Sequence, residues 1–112
     1  GYWKNRSETE QTEQLLEARK LLYDAEQSYR DSDIPAALKQ YEKGFELWRV
    51  ILDENPGLFA EETFVFDLWD EIEGYTNVLA QIREDGSRDL PDDFILPDVV
   101  DRWEKLNNPG GR

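Results

Sequence analysis

The chain contains no cysteine and no histidine, and each absence removes a class of chemistry. Without cysteine there is no disulfide, no thiolate nucleophile and no thiolate ligand for zinc. Without histidine the most common general base and metal ligand is missing, and none of the four serines has an imidazole to activate it. No glycine-rich phosphate loop is present either. We therefore predict a non-catalytic protein that holds no cofactor.

Long hydrophobic runs are also absent. No stretch reaches the ~18 consecutive apolar residues of a membrane span, and no signal peptide is visible. The residues after Gly1, Tyr-Trp-Lys-Asn-Arg, are typical either of a frayed tail or of the interfacial edge of a membrane anchor upstream of Gly1. Both interpretations stay open, and the compartment is not assigned because a lack of cysteine does not fix it.

Basic residues are scarce in the second half of the chain. Residues 1–49 hold ten acids and eight bases, whereas residues 50–112 hold sixteen acids and five bases, so the net charge of −13 divides into −2 and −11. This imbalance argues against binding a nucleic acid backbone or docking on anionic lipid. A basic peptide or protein surface would be attracted. A solubilising surface that binds no partner is the alternative interpretation.

Apolar residues in the first half recur every three or four positions, which is the period of one helix face. The spacing predicts helices over about 8–31 and 34–55, joined by an acidic turn. Ser7 and Glu10 would form a capping box at the start of the first helix, and Asp33 would cap the second. The residues predicted to meet across this hairpin are Leu15, Ala18, Leu22, Ala25 and Tyr29 on one helix and Ala37, Leu38, Tyr41, Phe45, Trp48 and Leu52 on the other.

Gly44 lies inside the second predicted helix, although glycine is less favourable than alanine in a helix interior by about 1 kcal/mol. We expect the close approach of a neighbouring helix to be the compensation.

The stretch from Ala25 to Tyr41, AEQSYRDSDIPAALKQY, followed by Glu-Lys-Gly, resembles a unit of the tetratricopeptide-repeat family. That family has a small residue and an aromatic on its first helix, a short acidic turn, and an alanine and an aromatic on its second. The matching positions are Ala25, Tyr29, Asp33, Ala37, Tyr41 and the small residue Gly44. The early tryptophan, the leucine–glycine pair and the closing proline of the family have no clear counterpart. One unit is recognised, over about residues 18–56.

The resemblance implies a protein-interaction module with a groove lined by the first helix of the unit. Carried over by position, the candidate partner-binding residues are Tyr23, Asp24, Gln27, Ser28, Arg30 and Asp31. Because a single repeat rarely buries enough surface to be stable, either the rest of the chain or a second copy would complete the core. A self-associating structural domain, tethered to a membrane, is therefore the alternative, and its dimer would use the nearly neutral hairpin.

The second half predicts a long third helix over about 60–84. Its main apolar stripe comprises Val65, Leu68, Ile72, Tyr75, Leu79 and Ile82. Phe66 and Trp69 lie off that stripe and indicate either a docking patch or a surface that the last segment of the chain covers. An irregular Asp- and Pro-rich connector over 86–98 follows, with Phe94 to Leu96 expected against the hairpin. A short helix over 97–106 and a disordered tail over 107–112 complete the chain.

Two acidic groups could in principle bind a hard cation, and they comprise Asp67, Asp70 and Glu71, and Asp89, Asp92 and Asp93. Neither has the ligand spacing of a calcium loop, so a carboxylate-only metal protein or enzyme is only a third hypothesis. The sequence as a whole predicts an all-α single domain: an antiparallel helical hairpin, a third long helix packed on it and a short C-terminal helix. We expect it to act through protein contacts.

Overall fold

The computed structural model describes the backbone of residues 2–107 and the side chains of residues 13–58 and 60–107. Within residues 2–107 the regular structure is helical throughout, and no strand occurs. The elements are α1 (Tyr2–Arg30), α2 (Ile34–Glu54), a 3-10 helix (Pro56–Ala60), α3 (Glu62–Ile82) and α4 (Pro97–Asn107). The predicted all-α fold, with an antiparallel hairpin of α1 and α2, is confirmed.

Contacts divide the chain into two compact units, Gly1–Glu54 and Asn55–Arg112. The first unit is the α1–α2 hairpin, and the second contains the 3-10 helix, α3 and α4. That the chain forms a single domain with α3 packed on the hairpin stays a prediction.

The first helix begins earlier than predicted. Its backbone is helical from Tyr2, so the start near Glu8 and the flexible tail over 1–7 are wrong for residues 2–7. Ser7 lies inside the helix and cannot act as its N-cap, which requires a non-helical backbone. The physical reason is that neither proline nor glycine occurs between Tyr2 and Arg30, so nothing in the sequence stops the helix upstream of Ser7.

The other helix ends lie within two residues of their predicted positions. The predicted tail over 107–112 is wrong at Asn107, which belongs to α4, and residues 108–112 lie outside the described residues. The 3-10 helix at Pro56–Ala60 was not predicted, because Asn-Pro-Gly indicated only that α2 ends.

The turn between α1 and α2 is a Schellman motif. The N–H of Asp33 donates to the carbonyl of Ser28 at 2.8 Å, and the N–H of Ser32 donates to the carbonyl of Tyr29 at 3.0 Å. Ser32 therefore occupies the left-handed position, with φ of 66°. Asp33 also begins α2, since its Oδ1 accepts the N–H of Ala36 at 3.4 Å, and the predicted cap is confirmed.

The two helices of the hairpin approach each other closely at Gly44. A Cβ atom placed there would lie 2.6 Å from Cδ2 of Leu22 and 3.4 Å from Cβ of Leu21. Leu22 is itself only 2% exposed, so it has little room to move away. The expected compensation for a glycine within α2 is confirmed.

The predicted apolar faces of the hairpin point inward. Leu15, Tyr29 and Leu38 are half-buried, and the other predicted residues are fully buried. Ile51 joins the buried set of α2, because that helix buries a broad face.

A polar contact also crosses this seam. The Oγ of Ser28 on α1 lies 2.7 Å from the side-chain amide of Gln40 on α2. With its nitrogen turned to that side, the amide of Gln40 also donates to the carbonyl oxygens of Asp24 and Ala36, each at 3.2 Å. Gln40 thus satisfies polar groups of both helices along the edge of the apolar seam.

The core of the second unit is built on α3. Its buried residues are Val65, Leu68, Ile72, Tyr75, Val78 and Leu79, together with Leu96 and Val99. Ile82 was predicted in this stripe but is 52% exposed, because α3 ends there and Arg83 is already extended. The ring of Phe94 stacks on that of Tyr75 with centroids 5.9 Å apart, whereas packing of Phe94 on the hairpin stays a prediction.

The start of the connector is more ordered than its composition predicts. Nη1 of Arg83 donates to the carbonyls of Ser87 at 3.1 Å and Asp89 at 2.6 Å. Oδ1 of Asp85 accepts the N–H of Ser87 at 3.0 Å, across Gly86 with φ of 68°. The predicted irregular connector therefore begins as a hydrogen-bonded turn, in which Arg83 holds two carbonyl oxygens.

Replacing Gly44 with leucine should reduce the free energy of unfolding by roughly 1–3 kcal/mol, because the new side chain overlaps Leu22. Urea denaturation followed by circular dichroism measures the loss. The control is Gly57→Ala, because a Cβ at Gly57 meets no atom within 4 Å. A change at Gly44 as small as the control's would show that the seam is not tightly packed.

Replacing Ser32 with glycine should increase the free energy of unfolding by roughly 0.5–1 kcal/mol, since glycine adopts positive φ without the clash of a Cβ atom. Ser32→Ala keeps that clash and should bring no gain. Gly86→Ala provides the opposite test and should lose about 1 kcal/mol, because a Cβ there meets no neighbour and only its φ is unfavourable. Thermal and urea denaturation of the three variants measures these changes in the free energy of unfolding. An equal change in Ser32→Gly and Ser32→Ala would contradict the prediction.

Candidate interaction surfaces

Two large apolar side chains are exposed on the outer face of α1. Leu16 and Tyr23 are 62% and 60% exposed, and a spacing of seven residues places them two turns apart on the same face. Ala18, Leu22 and Ala25 of the same helix are fully buried. Leu16 and Tyr23 therefore lie on the side of α1 that faces away from its buried side.

Two more candidate residues share this outer face with Tyr23. Gln27 follows Tyr23 by four positions and Arg30 follows it by seven, and these are the spacings of neighbours on one helix face. Nη2 of Arg30 lies 2.7 Å from Oε1 of Glu26. Both side chains are largely exposed, so the ion pair orients Arg30 but contributes little to stability. Tyr23, Gln27 and Arg30, with Leu16, form what we call the outer face.

The remaining hairpin candidates lie elsewhere. Ser28 turns toward α2, where its Oγ contacts the amide of Gln40, and the carbonyl of Asp24 accepts from that same amide. Asp31 lies in the turn, and its N–H donates to the carbonyl of Gln27 at 3.0 Å. The structure thus brings three of the six predicted groove residues together, and it places Ser28 at the seam and Asp31 in the turn. The contact of Asp24 with Gln40 is made by its backbone carbonyl.

The sequence analysis did not predict Leu16 as a residue of this surface. Leu15 and Leu16 are adjacent, so their side chains leave the helix about 100° apart and they lie on different parts of its surface. The period of the stripe selects Leu15, which is half-buried, so the exposure of Leu16 was implicit in the pattern.

Phe66 and Trp69 have different surroundings on α3. The rings of Trp69 and Trp103 stack with centroids 4.1 Å apart and planes inclined by 15°. Trp69 is consequently half-buried, and the last helix covers it. Phe66 is 38% exposed. Of the two alternatives predicted from the sequence, coverage by the last segment applies to Trp69, while Phe66 keeps an accessible ring.

Among the described residues, no three acidic side chains come together as a group that could hold a metal ion. No helix in this part of the chain is both long enough and apolar enough to cross a bilayer.

Comparisons of the chain with protein-family models, with curated protein sequences and with solved structures found no match. The resemblance of the hairpin to a tetratricopeptide unit therefore depends on its own residues alone. What this chain does has to be argued from its surfaces.

Replacing Trp69 or Trp103 with alanine should lower the free energy of unfolding in each case, because each ring covers the other. In a double-mutant cycle the two changes should be coupled by roughly 0.5–1.5 kcal/mol, the range of stacked aromatic pairs. Phe66→Ala serves as the exposed control and should change stability by less than about 1 kcal/mol. Additive effects of the two tryptophan variants in urea denaturation would contradict the stacking.

Proposed function

We propose that this protein is a non-catalytic protein-interaction module, in which a tetratricopeptide-like hairpin presents the outer face of α1 to a peptide or protein partner. The observation that carries the proposal is the exposure of Leu16 and Tyr23 in line on one rigid helix. Single exposed apolar residues are ordinary. Here a leucine and a tyrosine are exposed two turns apart on one face, with the exposed cations of Arg19 and Lys20 between them, so a partner could use two apolar anchors and the charges beside them.

The composition of the outer face suits recognition. Tyrosine and arginine are the residue types, with tryptophan, that most often dominate binding energy at protein interfaces. Tyr23 is available on this face, and Arg30 adds a cation that is only partly compensated by Glu26. Gln27 between them supplies a donor and an acceptor that can orient a bound chain.

The hairpin also supplies the rigidity that such a face requires. Leu22 and Gly44 fix the distance between α1 and α2, and the Schellman turn fixes their connection. A partner would therefore meet side chains already held on a helix, and little order would have to be created on binding.

A peptide-display selection against the intact chain, followed by fluorescence anisotropy with synthesised peptides, tests the proposal. Tyr23→Ala should weaken the selected peptides by about tenfold, and Leu16→Ala should weaken them in the same direction. The matched control is Val50→Ala on α2, a residue that is also exposed, at 43%. Peptides that bind Tyr23→Ala, Leu16→Ala and the wild type equally would contradict the proposal.

Self-association through the same outer face is the second candidate, and the distribution of charge favours it over a dimer through the other unit. The unit Gly1–Glu54 has twelve acids and eight bases, a net charge of −4, whereas Asn55–Arg112 has fourteen and five, a net charge of −9. Like charge opposes association least on the first unit. Sedimentation velocity across a concentration range tests for such a dimer. A chain that stays monomeric at high concentration would exclude self-association.

A further inference from the structure

An exposed aromatic ring in α3 shares its helix face with three carboxylates. Glu62 precedes Phe66 by four positions, Asp70 follows it by four and Glu73 by seven, so all three share its helix face. Residues four apart on a helix have Cβ atoms about 5–6 Å from one another. Phe66 and the three acids are all exposed, and we call them the Phe66 surface.

α3 itself supplies no cation to the Phe66 surface. No basic residue occurs between Val50 and Gln81. Among the described side chains, Glu62, Asp70 and Glu73 form no ion pair with a lysine or arginine. These three carboxylates are therefore available to pair with the cations of a partner.

We propose that the Phe66 surface binds a basic segment of a partner protein, so that an arginine or lysine of that segment lies over the ring of Phe66 while its neighbours pair with Glu62 and Asp70. A guanidinium group suits this surface, because it stacks on aromatic faces and pairs with carboxylates through two parallel hydrogen bonds. The inference names a partner class for the interaction module, and it rests on the proposed function only in taking the partner to be a protein.

Charge complementarity selects this occupant over the others. A second copy of the chain, joined through the same surface, would bring its own three acids against these three. Nucleic acid and anionic lipid carry phosphates that the same carboxylates repel. A basic protein segment satisfies both parts of the surface, the ring and the acids around it.

The experiment measures binding of the intact chain to a fluorescein-labelled peptide of alternating arginine and leucine, at about 50 mM salt, where surface charges are weakly screened. A peptide with glutamate in place of arginine is the probe control. Phe66→Ala should weaken binding by about tenfold. Ile82→Ala removes another exposed apolar side chain from α3 and should change binding by less than about twofold.

A second pair of variants separates a local site from the overall negative charge. Glu62→Gln with Asp70→Asn removes two charges at the Phe66 surface, and Asp92→Asn with Asp93→Asn removes two exposed charges from the connector. The first pair should weaken binding by about tenfold and the second by less than about threefold. Equal losses from the two pairs, or no binding of the arginine peptide by the wild type, would overturn the inference and leave the acids as a solubilising surface.

Tyr23→Ala is measured with the same peptide, so that failure of this inference and failure of the proposed function can be told apart. It should leave binding of the arginine peptide unchanged, because Tyr23 lies on a different helix. Loss of binding in Tyr23→Ala, with none in Phe66→Ala, would overturn the inference and assign the basic peptide to the outer face. Peptides selected by display that depend on Tyr23 would support the proposed function whatever happens at Phe66.

Discussion

The contact of Leu22 with Gly44 is the constraint on which the geometry of the hairpin depends. Because Gly44 has no side chain, Leu22 occupies the space a side chain would fill, and this brings α1 and α2 close together. Ala18 and Ala25 are fully buried for the same reason: only small side chains fit where helix axes are near each other. Once this side of α1 is buried, the opposite side is fixed as well, so the exposure of Leu16 and Tyr23 follows from the packing of residues that no partner touches.

Much of the fold could be predicted because hydrophobic periodicity and turn chemistry act locally. Asp33 and the residues before it indicate both the end of α1 and the start of α2, and the hydrogen bonds agree. The start of α1 could not be found in this way. A Ser-x-x-Glu pattern is compatible with an N-terminus but does not interrupt a helix, and no residue upstream of Ser7 does so either. The exposure of Ile82 could not be predicted either, because apolar residues continue to repeat beyond the point where a helix has ended.

The candidate surfaces were harder to predict, since they depend on where other elements lie. The family resemblance placed Ser28 among the groove residues. In the structure its hydroxyl instead points toward α2, because the side-chain amide of Gln40 is its hydrogen-bond partner across the hairpin. Phe66 and Trp69 are three residues apart and look equivalent in the sequence. The difference between them is the stacking of Trp69 on Trp103, a residue 34 positions away, and no local pattern contains that contact.

The acids around Phe66 give the exposed ring a physical rationale. An accessible aromatic ring tends to associate with any apolar surface. A ring next to carboxylates that have no ion-pair partner binds a neutral or acidic partner less tightly, because those carboxylates must lose water without gaining a counter-charge. A basic partner is the exception, since its cations replace the lost water. In the proposed interaction, specificity would thus arise from repulsion as well as attraction. On the outer face of α1 the charged side chains are mostly basic, namely Arg19, Lys20 and Arg30, so a partner proposed for that face would meet the opposite sign of charge.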